Sequence, residues 1–156
     1  MPFRGCSAAG GDAGTEHAMS AATEMMKNMP MSDTTIMSQM DMTAMANCID
    51  ACSACMQACL MCSDTMMGME GMGKCGALCA NCADMCNTTM RMMLRPMGME
   101  RDSMMAMLEA CIAMCRVCRD ECSTHMSMSE TCAMCATACD ACMTACQDML
   151  TAMRAN

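Results

Sequence analysis

Cysteine is the residue that most directly suggests chemistry in this sequence. Nineteen of the 156 residues are cysteine, and eighteen of them fall into four groups in which successive cysteines are alternately three and four residues apart. That spacing places every cysteine of a group on one face of an α-helix. The groups are Cys48, Cys52, Cys55, Cys59 and Cys62; Cys75, Cys79, Cys82 and Cys86; Cys111, Cys115, Cys118 and Cys122; and Cys132, Cys135, Cys139, Cys142 and Cys146.

Soft thiolate ligands of this kind select Cu(I), zinc or iron–sulfur clusters. Zinc and iron–sulfur sites usually need discrete four-ligand units held on turns, whereas these cysteines run along helices and the chain has only two histidines. Cu(I) accepts two or three ligands, and one thiolate can bridge two ions. The pattern therefore favours storage and buffering of multiple Cu(I) ions per chain, about 18 if every grouped cysteine takes part. An iron–sulfur electron-transfer or redox protein is the alternative hypothesis.

Methionines continue the same helix faces beyond the cysteines at one end, and we predict that Cu(I) enters there. Thioethers bind Cu(I) without losing a proton and more weakly than thiolates, so an ion can be caught and passed inward. In this prediction Cys48 and Cys146 share a layer with Met90 and Met107. A second layer, outside the first, contains Met45, Met93, Met104 and Met149. The predicted mouth or rim ligands are Met45, Met90, Met93, Met104, Met107 and Met149.

Four helices are needed to position these side chains, over about residues 33–67, 75–95, 101–124 and 129–154. Glycine and proline interrupt the pattern between them, and the Ser127-x-x-Glu130 sequence predicts a capping box that opens the last helix. Short connections favour antiparallel neighbours, so the predicted fold is all-α, an up-down-up-down four-helix bundle with a cysteine-lined core. In this arrangement the cysteines stack in four full layers: Cys62, Cys75, Cys122 and Cys132; Cys59, Cys79, Cys118 and Cys135; Cys55, Cys82, Cys115 and Cys139; and Cys52, Cys86, Cys111 and Cys142.

The composition excludes several functional classes. Leu, Ile, Val and Phe together number 10, Trp and Tyr are absent, and the net charge is −8. An acidic chain without an aromatic platform is not suited to nucleic acid, and no nucleophile–base pair or phosphate loop indicates an enzyme. A purely structural cysteine core is disfavoured because cysteine buries less apolar area than leucine. His125 is interpreted as a cation near a helix C-terminus rather than as a copper ligand.

The first 31 residues differ from the rest in being rich in Met, Gly and Ala. We predict a flexible N-terminal arm over 1–31, with a short helix near Ala18–Asn28, and the cysteine-rich bundle over 32–156. The N-terminal segment lacks the apolar core of a signal peptide, and the sequence contains no run of 18 apolar residues that could span a membrane. The expected location is cytoplasmic, or periplasmic if an export signal is missing from this chain.

The motif Cys52-x-x-Cys55-x-x-x-Cys59-x-x-Cys62 and its counterparts in the other three helices resemble the bacterial copper storage proteins. The resemblance covers about residues 45–150. It implies a four-helix bundle whose cysteine-lined core stores many Cu(I) ions, assembled as a homotetramer. Copper ions are the implied ligand, and a copper chaperone or a copper-requiring enzyme is the implied partner. The excess of methionine and the scarcity of histidine set this chain apart from that family pattern.

Overall fold

Five α-helices make up the part of the chain that the structure describes. The structure is a computed structural model, and it describes residues 21–28 and 41–155. The helices are α1 (Ala21–Lys27), α2 (Met42–Met67), α3 (Gly73–Met93), α4 (Arg101–Ser123) and α5 (Glu130–Ala155), with a short 3-10 turn at Pro96–Gly98 between α3 and α4. Helix α1 lies within the segment predicted to hold a short helix. No β-strand occurs in these two ranges.

Acidic side chains cap two of the long helices. The Asp41 carboxylate accepts hydrogen bonds from the backbone N–H groups of Thr43 at 2.9 Å and Ala44 at 3.1 Å, which satisfies donors that have no partner within the helix. Glu100 caps α4 in the same way. Helix α2 therefore begins at Met42, and residues 33–40, where the prediction began this helix, lie outside the described residues.

The start of α5 differs from the prediction. Its first helical residue is Glu130, and the hydroxyl of Ser129 accepts a hydrogen bond from the backbone N–H of Cys132 at 3.3 Å. The predicted capping box with Ser127 is wrong because a glutamate at the first helical position cannot reach back as one at the third position does. The remaining bounds of α3, α4 and α5 lie within two residues of the predicted ones.

The four long helices form the predicted bundle. Helix α2 packs against α3 and α5, and α4 packs against α5 and α3; the α3–α4 pair is the loosest of these four contacts. The turn from α2 to α3 is tight, since Gly71 has a φ of 77°. At Gly76 an added Cβ would lie 2.9 Å from the sulfur of Met67, so glycine lets these two helices approach. This packing turns the four cysteine faces toward one interior.

Helix α2 is the one helix in the described ranges that is long and apolar enough to cross a membrane. Its apolar character comes mainly from Ala, Met and Cys. All five of its cysteines are buried against the other helices of the bundle. The core helix of a soluble protein passes the same test, so the length and composition of α2 are weak evidence for a membrane span.

Candidate metal centre

The bundle interior is made of thiols. All eighteen grouped cysteines are buried with at most 1 % of their surface exposed, and all are free. Free cysteine packs as a small hydrophobe, which lets the small side chains fill a narrow core. The predicted ligands are thus collected in one place, and Cys6, the nineteenth, lies outside the described residues.

Thiols that were predicted to share a layer are in contact across the bundle. The sulfur atoms of Cys62 and Cys132 are 3.9 Å apart near the loop that joins α2 and α3, and those of Cys48 and Cys146 are 3.6 Å apart near the other end. Every layer between them also contains at least one such pair. These pairs are Cys59–Cys135 at 3.6 Å, Cys55–Cys139 at 3.8 Å, Cys82–Cys115 at 3.7 Å and Cys52–Cys142 at 3.7 Å.

Contacts between layers are as short as those within them. The sulfur of Cys79 lies 3.5 Å from that of Cys122, and Cys86 lies 3.7 Å from Cys115. Similar steps join Cys59 to Cys139 at 3.9 Å and Cys52 to Cys146 at 3.9 Å. Together with separations of up to 4.8 Å, which bring in Cys111, these contacts join all eighteen thiols into one continuous array of sulfur atoms, which we call the thiol column.

Groups of four thiols within the column could each hold a metal ion, and these groups cross the layers. Within each group all sulfur atoms lie within 4.8 Å of one another. Four cysteines each belong to two such groups: Cys55, Cys59, Cys82 and Cys139. A sulfur that belongs to two groups is placed to bridge two ions. Five of the groups are Cys52/Cys111/Cys142/Cys146, Cys55/Cys82/Cys86/Cys115, Cys55/Cys59/Cys82/Cys139, Cys59/Cys118/Cys135/Cys139 and Cys62/Cys75/Cys79/Cys122.

Hydrogen bonds among the thiols change their readiness to lose a proton. Bonds from Cys146 and Cys52 lower the pKa of Cys48 to about 5 despite its burial. A bond with Cys115 likewise lowers the pKa of Cys82 to about 7. Cys52 has a raised pKa because its bonds, first with Cys111, favour the protonated form. Thiolates are thus held beside protonated thiols that donate to them, and the thiolate is the form that binds metal.

A layer of four methionines closes one end of the column. Met45, Met93 and Met149 have no exposed surface, and Met104 is 1 % exposed. They come from the start of α2, the end of α3, the start of α4 and the end of α5. The structure therefore brings these four predicted rim side chains together at the end of the bundle where α2 begins; we call them the methionine rim.

The layer between the rim and the column differs from the prediction. Thr89 and Leu108 are fully buried, whereas Met90 and Met107 are only half-buried. The predicted place of Met90 and Met107 beside Cys48 is therefore wrong. After the four-residue step from Cys82 to Cys86, the alternation calls for a step of three, which reaches Thr89; the same rule applied backwards from Cys111 reaches Leu108. The Thr89 hydroxyl is satisfied by donating to the carbonyl of Met85 at 2.8 Å.

The opposite end carries a different set of side chains. Met66 is fully buried and its sulfur lies 3.5 Å from that of Cys132, so it extends the column by one thioether. Met72 is also buried, but three methionines of the loops at this end are exposed. These are Met69, Met126 and Met128.

His125 lies at this second end, just beyond the end of α4. Its Nε2 is 3.3 Å from the Glu121 carboxylate, which also pairs with Lys74 at 2.9 Å. Its Nδ1 is buried and makes no hydrogen bond within the described residues. The contact with Glu121 is compatible with the predicted role as a cation near a helix C-terminus, and that role stays a prediction.

Comparison with known proteins identifies the family of this chain. A family model described as copper storage protein matches residues 36–151. The chain belongs to the copper storage protein family. No curated protein sequence matches it. Two solved structures of a copper storage protein from Streptomyces lividans are similar to this member of the family. One, loaded with 10 copper equivalents, is 34 % identical, covers 83 % of this chain and 98 % of its own, and has a TM-score of 0.78.

The second structure is described as a cytosolic copper storage protein with five coppers. It is 38 % identical, covers 70 % of this copper storage protein and 93 % of its own chain, and has a TM-score of 0.68. Both likenesses span nearly the whole of the solved chains. The predicted family, the four-helix fold and the storage function are confirmed.

Proposed function

We propose that this copper storage protein holds Cu(I) along the thiol column with all eighteen buried cysteines as ligands. The observation that supports this most is the overlap of the four-thiol groups, in which four cysteines each serve two groups: Cys55, Cys59, Cys82 and Cys139. Cu(I) tolerates shared, low-coordinate thiolate ligands. The proposed ligands are Cys48, Cys52, Cys55, Cys59, Cys62, Cys75, Cys79, Cys82, Cys86, Cys111, Cys115, Cys118, Cys122, Cys132, Cys135, Cys139, Cys142 and Cys146.

Charge balance permits many ions in one buried space. Each protonated thiol that binds one Cu(I) ion releases one proton, so a positive charge replaces a positive charge and these sites stay neutral. Without this exchange each bound ion would bring an uncompensated charge into the interior. Burying one such charge costs on the order of several kcal/mol. Iron–sulfur clusters need separate sets of four cysteines. Four of the groups share no cysteine, and clusters in those four would leave Cys48 and Cys132 unused.

Copper is proposed to enter at the methionine rim. Behind the rim, the layer that contains Thr89 and Leu108 offers only one thiol pair, Cys48 and Cys146, at 3.6 Å. An ion moving inward from the rim meets thioethers first, then this pair, then the full column. Binding strengthens along that path because thiolates bind Cu(I) more tightly than thioethers. Cys48 already favours the thiolate, since its pKa is lowered to about 5.

The cellular setting is part of the same proposal. A cytosolic location is supported by a similar solved structure that is described as cytosolic. A homotetramer, delivery by a copper chaperone or to a copper-requiring enzyme, and the absence of catalysis follow from the family resemblance. No role with nucleic acid or membranes is proposed. The proposed domain organisation is an N-terminal arm over 1–31 and a bundle over 32–156.

Optical spectroscopy of the reconstituted protein tests this function. Reduced metal-free protein is loaded anaerobically either with Cu(I) or with a mixture of ferrous and ferric iron and sulfide. We expect the Cu(I) sample to be colourless and to luminesce under ultraviolet light, with no stable brown species in the iron sample. The near absence of aromatic residues leaves the metal–thiolate absorption unobscured. A stable brown iron–sulfur protein, together with weak Cu(I) binding, would contradict the proposal.

A further inference from the structure

A groove on the side of the bundle collects methionines that the column does not use. It lies between α3 and α4 and has a volume of about 360 Å³. The groove is lined by Met85, Met107 and Met114 together with Asn81, Asp84 and Thr88. The three methionines are half-buried and the three polar residues are exposed, so the groove opens to solvent.

Core packing accounts for these methionines only in part, because Met85 and Met114 rest on the core on one side and line the open groove on the other. The interior between α3 and α4 is already filled by cysteines, with Cys82 and Cys86 each 3.7 Å from Cys115. Helices α3 and α4 also form the loosest of the four contacts between neighbouring long helices. Met85 and Met114 stand beside Cys86 and Cys115 in sequence but face the groove. The methionines therefore line an open site on the flank of the column.

The chemistry of the groove suits a soft monovalent cation. Three thioethers are neutral, soft ligands and select Cu(I) over zinc or magnesium. They release no proton on binding, so the bound ion keeps its positive charge, and the Asp84 carboxylate in the same groove can offset it. We propose that Met85, Met107 and Met114 form a second Cu(I) site, outside the thiol column, with Asp84 as its counter-charge.

This site differs from the column in two measurable ways. Thioethers bind Cu(I) more weakly than thiolates, so the groove fills after the column is saturated. Its occupancy does not depend on thiol ionisation, so mild acid leaves it bound while proton competition weakens the column sites. The proposal adds to the storage function without requiring it, because the groove contains no cysteine.

Methionine-methyl NMR of the full chain tests the groove site. Protein labelled at the methionine methyl carbons is first saturated with Cu(I), monitored by thiolate–copper absorption, and then given further Cu(I) as its acetonitrile complex. We expect three methyl signals to shift with about one further ion bound per chain. The M85L/M107L/M114L variant should lose these signals and that ion, and D84N should weaken its binding several-fold.

The matched control replaces three half-buried methionines outside this groove, as M56L/M105L/M143L. It should keep the extra ion, and both triple variants should load the column as the parent does, which shows that they fold. The proposal is overturned if the three methyl signals do not respond to Cu(I), or if the control loses the ion equally. It is also overturned if the signals shift with protein concentration alone, since a second copy would then occupy the groove.

Discussion

The thiol column and the methionine rim are both buried and both built from soft sulfur, yet they suit different tasks. A thiol exchanges a proton for Cu(I), so the column can fill without gaining charge. A thioether has no proton to lose, so each ion in the rim adds a full positive charge. The rim therefore suits brief capture of few ions, while the column suits storage of many. Burial alone does not separate the two regions; proton exchange does.

Copper loading should stabilise the protein strongly if the column is the store. An ion bound only by the folded state adds about 4.1 kcal/mol when it is present at 1,000 times its dissociation constant. For a single ion, that gain in the free energy of unfolding corresponds to a rise of about 15 °C in the thermal midpoint of a domain of this size. Circular dichroism melts of metal-free and loaded protein measure it. A midpoint that does not move on loading would contradict storage in the core.

Removing one layer of the column should lower capacity without unfolding the helices. The variant C55A/C82A/C115A/C139A deletes four neighbouring thiols, and alanine is the best helix former. We expect bound copper to fall by about four ions per chain, measured by metal analysis after gel filtration. Replacement of Cys6, which lies outside the bundle sequence, serves as the control and should leave capacity unchanged. An unchanged stoichiometry in the layer variant would show that the column is not the store.

Replacing the methionine rim should change rate and not capacity. The variant M45L/M93L/M104L/M149L keeps nearly the same side-chain volume, and such exchanges usually cost less than about 1.5 kcal/mol. Transfer of Cu(I) from a chelator, followed by stopped-flow absorption, should slow several-fold while the final stoichiometry holds. The matched variant M66L/M69L/M126L/M128L alters the opposite end and should load normally. If the second variant is the slow one, copper enters at the opposite end.

The junction between rim and column should show a pH dependence set by Cys48. Its pKa is lowered to about 5 by bonds from Cys146 and Cys52, so capture by this thiolate should be constant above pH 5 and fall about tenfold per pH unit below it. The variant C146A removes the first donor. The break in the pH profile of Cu(I) capture should then move upward, toward the ordinary thiol value of about 8.5. A break that stays near pH 5 would refute this role of Cys146.

The strict three-and-four spacing of the cysteines explains why most of the structure was predictable from sequence. That spacing places Cys48 and Cys62 on the same helix face, and short connections determine that neighbouring helices run antiparallel. With so few large aliphatic residues, no alternative core competes. The helices, their order and the buried cysteine set therefore follow from local pattern alone.

Details that depend on axial offsets between helices were not predictable. The misplacement of Met90 is of another kind, since the strict alternation past Cys86 already requires a step of three, to Thr89. The metal-binding character of methionine outweighed that spacing in the prediction. The overlap of four-thiol groups around Cys55 and the contact of Met66 with Cys132 depend on shifts of a few ångströms along the bundle. Sequence periodicity carries no information on shifts of that size.

A titration of reduced, metal-free protein with Cu(I) in the presence of a strong Cu(I) chelator tests the central claim most directly. The chelator reports free Cu(I) by its colour, so only tightly bound ions are counted. With bridging thiolates throughout the column, the protein should withhold about 18 ions per chain before the chelator colour rises. Saturation at about four ions, one for each separate set of four thiols, would contradict a continuous column.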